Sequence, residues 1–213
     1  MKYQDFVIKN GKFVGKFDEM YKKFSDPWNL LKNNSNSQNL NYQIIYNYCE
    51  RVKKFKKRKR KIVTLEIGCG YPQITNNLNE LGFNSFGTDI SKTVIRKSKK
   101  KYPKLKKKLF ISKFNNFKLY KTISPDIVIL SDISWYVLPE LKNFLDWFKK
   151  LKKKTYLVHS LAIYGKKKQR YGKNYFYDMN TIKNFFNLKF LSYAEINNFN
   201  DDRHTLFLAI NKK

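Results

Sequence analysis

From Ile62 onward the chain alternates short apolar runs with segments of helical spacing, and this alternation constrains the fold more than any other feature. The strand-like runs are IVTLEI (62–67), NSFGTD (84–89), KLFIS (108–112), DIVILS (126–131) and TYLVHS (155–160). Helical stretches at 74–81, 92–100 and 138–151 lie between most of them. IVTLEI and DIVILS are apolar almost throughout, as strands buried on both faces are. The pattern predicts a parallel sheet with right-handed crossovers and helices on both faces. A short helix near 180–186, with Asn180 as N-cap, precedes two last strands, KFLSYAEI (189–196) and HTLFLAI (204–210). These two, joined by NNFNDDR, are expected as an antiparallel edge pair.

The N-terminal part reads differently. FVIKNGKFV (6–14) places Asn10-Gly11 between β-prone runs, the signature of a tight hairpin. FDEMYKKFSDPWNLL (17–31) is helical as far as Phe24, because Pro27 disfavours helix at Asp26. After a polar loop (33–41), a helix at 42–55 carries Ile44, Ile45, Tyr48 and Val52 at helical spacing. Residues 1–61 are thus expected as a hairpin and helical lid or extension, and 62–213 as one compact unit.

Within 213 residues there is no apolar run of the roughly 18 to 20 that span a bilayer. The N-terminus lacks the apolar block of a signal peptide. Cys49 and Cys69 provide no disulfide framework, so a soluble cytoplasmic protein is expected. No metal-ligand cluster stands out. The net charge of +29 suits a polyanion, but Lys far outnumbers Arg beside abundant Asn, Ile, Tyr and Phe, as biased codon usage also produces. The basic runs KKFKKRKRK (53–61), KSKKKYPKLKKK (97–108) and KKLKKK (149–154) each precede a strand. That places them on the face opposite the ligand end of a parallel sheet. Nucleic acid is therefore not the favoured partner, and peripheral membrane contact is a role this face would suit.

Parallel α/β sheets bind ligands at the carboxyl ends of their strands. There lies EIGCGYP (66–72), whose Gly68 and Gly70 permit a sharp turn and close backbone approach. Glu66 is an acid on an apolar strand, which needs a compensating partner. Asp89 closes the second strand, where an acid accepts ribose hydroxyls. Gln73 occupies the place of the third glycine of a dinucleotide turn, which argues against a nicotinamide cofactor.

Together these residues resemble the class I S-adenosylmethionine-dependent methyltransferases, whose first motif is an acid followed by Gly-x-Gly and whose second is an acid closing the next strand. The resemblance covers roughly residues 62–211. It implies a Rossmann-like, doubly wound α/β fold with a mostly parallel seven-stranded sheet and an antiparallel last strand. It further implies that Glu66 and the Gly68–Cys69–Gly70 backbone hold the methionine moiety, Asp89 the ribose, and Ile90 the adenine. The family's acid after the third strand is missing, and Phe114 or Asn115 would replace it. Ser91, Ser131 and Trp28 complete the implied cofactor contacts. Pro72 stands where the family often has another glycine.

Groups acting on the acceptor belong after the fourth and fifth strands: Asp132, Trp135 and Tyr136 in SDISWYVLPEL, and His159 as general base. His204, at the start of the last strand, is the weaker alternative. SDISWY is not the Asn/Asp-Pro-Pro-aromatic motif of base-modifying amino-methyltransferases, and neither cysteine follows the fourth or fifth strand. The Asp26-Pro27-Trp28 segment, WYVLPEL and QRYGKNYF resemble methyltransferases related to nodulation protein S and those of glycan and lipopolysaccharide gene clusters. That resemblance implies N- or O-methylation of a sugar, nucleotide-sugar or glycan. The basic GKKKQRYGK (165–173) suggests a loop favouring an anionic acceptor. An RNA methyltransferase using the basic surface, or a non-catalytic protein of this fold binding nucleic acid or a partner, are the alternatives.

Overall fold

The computed structural model describes residues 2–31, 39–57, 59–164, 171–172, 174–197 and 203–211. Strands β1 (Ile8–Lys9) and β2 (Lys12–Phe13) pair around Asn10 and Gly11, whose φ angles of +51° and +72° suit a two-residue hairpin turn. Helix α1 (Phe17–Lys23) stops at the extended Phe24, as Pro27 demands. Helix α2 (Leu40–Lys56) starts at Asn39, whose side chain accepts from the Asn41 N–H at 3.1 Å.

The alternating region follows as β3 (Val63–Ile67), α3 (Gln73–Glu80), β4 (Asn84–Asp89), α4 (Lys92–Lys101), β5 (Leu109–Ile111), α5 (Phe117–Ile123) and β6 (Ile127–Ser131). It continues through α6 (Leu138–Lys149), β7 (Tyr156–Ile163), α7 (Met179–Phe186), β8 (Lys189–Asn197) and β9 (Arg203–Ile210). The seven-stranded sheet has the order β5-β4-β3-β6-β7-β9-β8, with β9 antiparallel to both of its neighbours and the remaining pairs parallel. Strand order reverses between β3 and β6, which makes their carboxyl ends the switch point where such sheets bind ligands.

Side-chain alternation sorts the core into layers. Ile127, Ile129, Tyr156 and Val158 pack under α2 and α3 with Ile45, Val52 and Leu78. Val128, Leu130, Leu157 and Leu161 pack under α6 and α7 with Phe144, Phe148 and Phe186. Each such side chain contributes roughly 1.5 to 3 kcal/mol when fully buried. A third cluster joins Met20 and Tyr21 of α1 to Val94 and Ile95 of α4 and to Cys69 and Tyr71 of the glycine turn. The N-terminal segment is thereby packed directly on the turn.

One local expectation is corrected: the N-cap of α7 is Asp178, not Asn180, because Asp178 and Thr181 hydrogen-bond reciprocally. Helix α5 lies where the sequence pattern names no helix; its start comes from the Asn116 side chain, which accepts from the Leu119 N–H. The last two strands form the expected antiparallel pair at the sheet edge, with β9 between β7 and β8.

At the amino ends of the strands, the carboxylate of Asp126 is fully buried beneath the basic runs. It accepts from the Val63 N–H at 3.0 Å and pairs with Lys56 at 2.8 Å, Lys153 at 3.1 Å and Arg60 at 3.2 Å. Lysines also fill the last turns of α2 and α4, where they complement the helix dipole. Among the described residues no helix is long and apolar enough to cross a membrane.

Candidate active site

After β3 the chain turns through Gly68 at φ +73° and Gly70 at φ +50°. The turn is tied to β4: the Gly68 and Cys69 N–H groups donate to the Thr88 carbonyl at 2.7 and 2.9 Å, and the Gly70 N–H donates to Asp89 Oδ2 at 2.9 Å. A Cβ at Gly68 would stand 2.7 Å from Ile133 Cγ2, and one at Gly70 would stand 2.7 Å from Tyr21 Oη. Both positions therefore need glycine for conformation and for space.

Two buried carboxylates flank this turn. Glu66 Oε2 accepts from both the backbone N–H and the hydroxyl of Thr75, at the start of α3, which leaves Oε1 without a partner among the described residues. Asp89 accepts at Oδ2 from Gly70 and at Oδ1 from the Ser91 N–H at 2.8 Å. Burial pushes the Glu66 carboxyl up to about 7 and the Asp89 carboxyl up to about 6, against their hydrogen bonds. Such groups gain most from a cationic or hydroxyl-bearing ligand.

They face a cleft of about 730 Å³ at the carboxyl ends of β3, β4 and β6. Its roof is the N-terminal segment. Asp18 of α1 accepts from the Ser91 hydroxyl and the Thr93 N–H, each at 2.8 Å, which docks α1 on the start of α4. Burial alone would raise the Asp18 carboxyl, but the bonds from Thr93, Ser91 and Lys22 hold it well below the usual range. Asp26 accepts from the Leu30 and Leu31 N–H groups at 2.8 and 2.7 Å, closing a turn that presents Trp28 to the cleft. The Tyr136 ring lies 5.5 Å from that of Phe17 and 5.9 Å from that of Trp28.

Of the expected cofactor contacts, Glu66, Gly68, Cys69, Gly70, Asp89, Ile90, Phe114, Ser131 and Trp28 line this cleft. Asn115 does not; it lines a neighbouring hollow with Ile90 and Lys92. Ser91 is also displaced from the expected role: fully buried, it accepts from the Val94 N–H as the N-cap of α4 and donates to Asp18. The basic segment GKKKQRYGK lies outside the described residues except for Tyr171 and Gly172.

For the acceptor groups, Asp132 and Tyr136 line the cleft and His159 does not. His159 is fully buried in the middle of β7, its ring 4.7 Å from Phe207 and 4.8 Å from Phe186, with Nε2 2.8 Å from Ser134 Oγ. Burial pushes its imidazole down to about 3, so it stays neutral and apart from any substrate. The expectation of His159 as base is corrected: it projects into the α6–α7 layer, and Ser160 takes the other face.

The histidine on the cleft is His204. Antiparallel register sets His204 of β9 opposite Ala162 of β7. Its Nε2 lies 2.8 Å from Ser160 Oγ and 3.0 Å from Asp132 Oδ1. Asp132 follows β6 at a left-handed φ of +56°, its N–H donating to the Ser160 carbonyl at 2.8 Å and its Oδ1 accepting from the Ala162 N–H at 3.1 Å. Nothing in the local sequence marks this pair; only the register of β9 brings it together.

Cleft, switch point and paired acids together give a Rossmann-like fold with a candidate ligand site at the carboxyl ends of its central strands. Residues 65–158 match the methyltransferase domain family, in line with the class I S-adenosylmethionine-dependent resemblance read from the sequence. Among solved structures it is similar to the N-methyltransferase NodS from Bradyrhizobium japonicum in complex with S-adenosyl-L-homocysteine, at 14% identity and a TM-score of 0.62, over 92% of this chain and 97% of that one. It is also similar to magnesium protoporphyrin IX methyltransferase (ChlM) from Synechocystis with bound S-adenosylmethionine, at 12% identity and a TM-score of 0.55, over 98% of this chain and 89% of that one. A methyltransferase from Clostridium acetobutylicum aligns at 14% identity and a TM-score of 0.57, over 89% of this chain and 98% of that one. No curated protein matches significantly. At these identities the likeness is one of fold, and it agrees with the seven-stranded sheet expected from the sequence.

Proposed function

We propose that this enzyme methylates a small polar acceptor, a sugar, nucleotide-sugar or glycan, in the space between the glycine turn and the aromatic roof. The observation that carries the proposal is the charge of the cleft. Its described lining includes the acids Glu66, Asp89, Asp132 and Glu140 against Lys113 and His204, in a chain of net charge +29. A nucleic-acid enzyme needs its positive groove around the reacting atoms. Here the basic runs 53–61, 97–108 and 149–154 precede their strands and so belong to the other end of the sheet.

The residues present fit the cofactor. Both glycine positions lack room for a side chain, and both raised carboxyls await a cationic or hydroxyl partner. Glu66 and the turn backbone would hold the methionine moiety, Asp89 the ribose, and Ile90 and Phe114 the adenine. Bound there, S-adenosylmethionine supplies a methyl group already activated on a sulfonium. The protein's part is to align the acceptor, exclude water and receive a proton. Trp28 and Tyr136 offer flat faces on which a sugar stacks, and the docking of α1 on α4 keeps the roof in place.

The test is methyl-labelled S-adenosylmethionine offered with amino sugars, nucleotide-sugars and oligosaccharides in parallel with total RNA. Label in a small acceptor is expected. Label in RNA alone would overturn the proposal.

A further inference from the structure

We infer that His204 is the proton acceptor of the methyl transfer, with Asp132 as the residue that positions it. This rests on the methyltransferase reading and deepens it by assigning the chemistry of the acceptor. The Nε2 atom of His204 lies between Asp132 Oδ1, 3.0 Å away, and Ser160 Oγ, 2.8 Å away. An ionised carboxylate only accepts hydrogen bonds, so the proton of the neutral ring resides on Nε2. The lone pair is then on Nδ1, which has no hydrogen-bond partner among the described residues.

The pair adjoins the cofactor cradle. Ile133, next in the chain after Asp132, is the residue whose Cγ2 fills the place of a Gly68 side chain. The left-handed backbone at Asp132 is held there by its bonds to Ser160 and Ala162 of β7. This arrangement aims one carboxylate oxygen at one ring nitrogen from two different strands. As the acceptor's nucleophilic atom bonds to the methyl carbon, the carbon–sulfur bond breaks with its electron pair left on sulfur. The acceptor's proton passes to Nδ1, Asp132 stabilises the resulting imidazolium, and water takes the proton once the products leave.

A base is needed only where the acceptor carries an N–H or O–H to be lost. The pair therefore assigns an amine or hydroxyl acceptor, since a carboxylate would react without one. Tyr42 of α2, Tyr136 and the buried His159 are titratable groups near the pair, and Glu66, Asp89, Lys113, Glu140 and Tyr164 share its cleft. Burial keeps Tyr42, Tyr136 and His159 neutral across the physiological range.

The chain has two histidines, so imidazole NMR of the whole protein resolves both. The His204→Gln variant assigns the His204 ring, whose expected neutral form is the Nε2–H tautomer. Asp132→Asn should weaken that tautomer preference, which a merely structural role would leave unmoved. Exchanging bound S-adenosylhomocysteine for S-adenosylmethionine should move the His204 ring signals and leave those of His159 in place, because only the latter ligand puts a sulfonium charge in the cleft. If calorimetry shows both ligands binding while the His204 signals coincide, the pair is not at the methyl end and the inference fails. If neither ligand binds, it is the methyltransferase reading that fails.

Discussion

Replacing Gly68 by alanine places a methyl group 2.7 Å from Cγ2, 3.1 Å from Cδ1 and 3.4 Å from Cβ of Ile133, at a backbone φ of +73°. Two costs follow. A side chain in the left-handed region costs roughly 1 to 2 kcal/mol, and forcing an extra methyl into a packed site typically costs 1 to 3 kcal/mol more. Ile133 is 9% exposed and sits in the α6–α7 core cluster, so it has little room to withdraw. For a protein of this size each kcal/mol moves the melting temperature by roughly 2 to 4 °C, which puts the expected drop at roughly 4 to 20 °C. The same displacement shifts the Cys69 and Gly70 backbone, so affinity for S-adenosylmethionine should fall by about tenfold or more, equivalent to about 1.4 kcal/mol. Ile133→Ala removes Cγ2 and Cδ1 but not the backbone strain. A double-mutant cycle followed by thermal melting and calorimetry should therefore recover about 1 to 3 kcal/mol of the alanine cost as coupling between the two sites. Additive effects would refute the contact, and unchanged cofactor affinity in Gly68→Ala would refute the turn as cradle.

Asp126→Asn leaves Lys56, only 5% exposed, without its carboxylate, and should cost about 3 to 5 kcal/mol in denaturant unfolding. Burial opposes ionisation of Asp126, but Lys56, the Val63 N–H and Lys153 draw its carboxyl down to about 2. The folded value lies below the unfolded one of about 3.9, so the stabilisation is present above that pH and is lost as pH falls through about 2. The variant's melting temperature should accordingly converge on that of the wild type in acid. Asp18→Ala removes the acceptor for Ser91 and Thr93 and should cost about 1 to 2 kcal/mol. Amide hydrogen exchange in α1 should then rise well ahead of that in β6; equal protection would mean the roof is held by packing alone.

Most of the fold was legible because each signal was local. Continuous apolar runs named β3 and β6, Asn10-Gly11 named the hairpin, and Pro27 named the end of α1. That Glu66, the glycines and Asp89 come together on one cleft was legible for the same reason, since they are carried by consecutive strand ends. What escaped depends on partners distant in sequence. The choice between His159 and His204 turns on which face of β7 points to the core and on the register of β9, and neither is encoded near either histidine. Ser91 reads as a ligand contact from its place after Asp89, yet its hydroxyl is taken by Val94 and by Asp18, 73 residues earlier. The Asp-Pro-Trp segment was visible as a motif, while the work of its aspartate, closing the turn at Leu30 and Leu31, required coordinates.

The central claim is that the acid-flanked glycine turn binds S-adenosylmethionine, and calorimetric titration of the intact protein tests it most directly. Burial holds Glu66 protonated up to about 7 and Asp89 up to about 6, so the free site carries protons that a cationic, hydroxyl-bearing ligand displaces. Without ligand, these raised values make the folded state the greater proton binder above pH 4 or so, and its stability declines as pH rises toward 7. With ligand, affinity should climb as pH rises through 6 to 7 and level off above. Buffers of different ionisation enthalpy should report net proton release at pH 6. Saturable binding with that release is the predicted result; no binding, or binding with proton uptake at pH 6, would contradict the account.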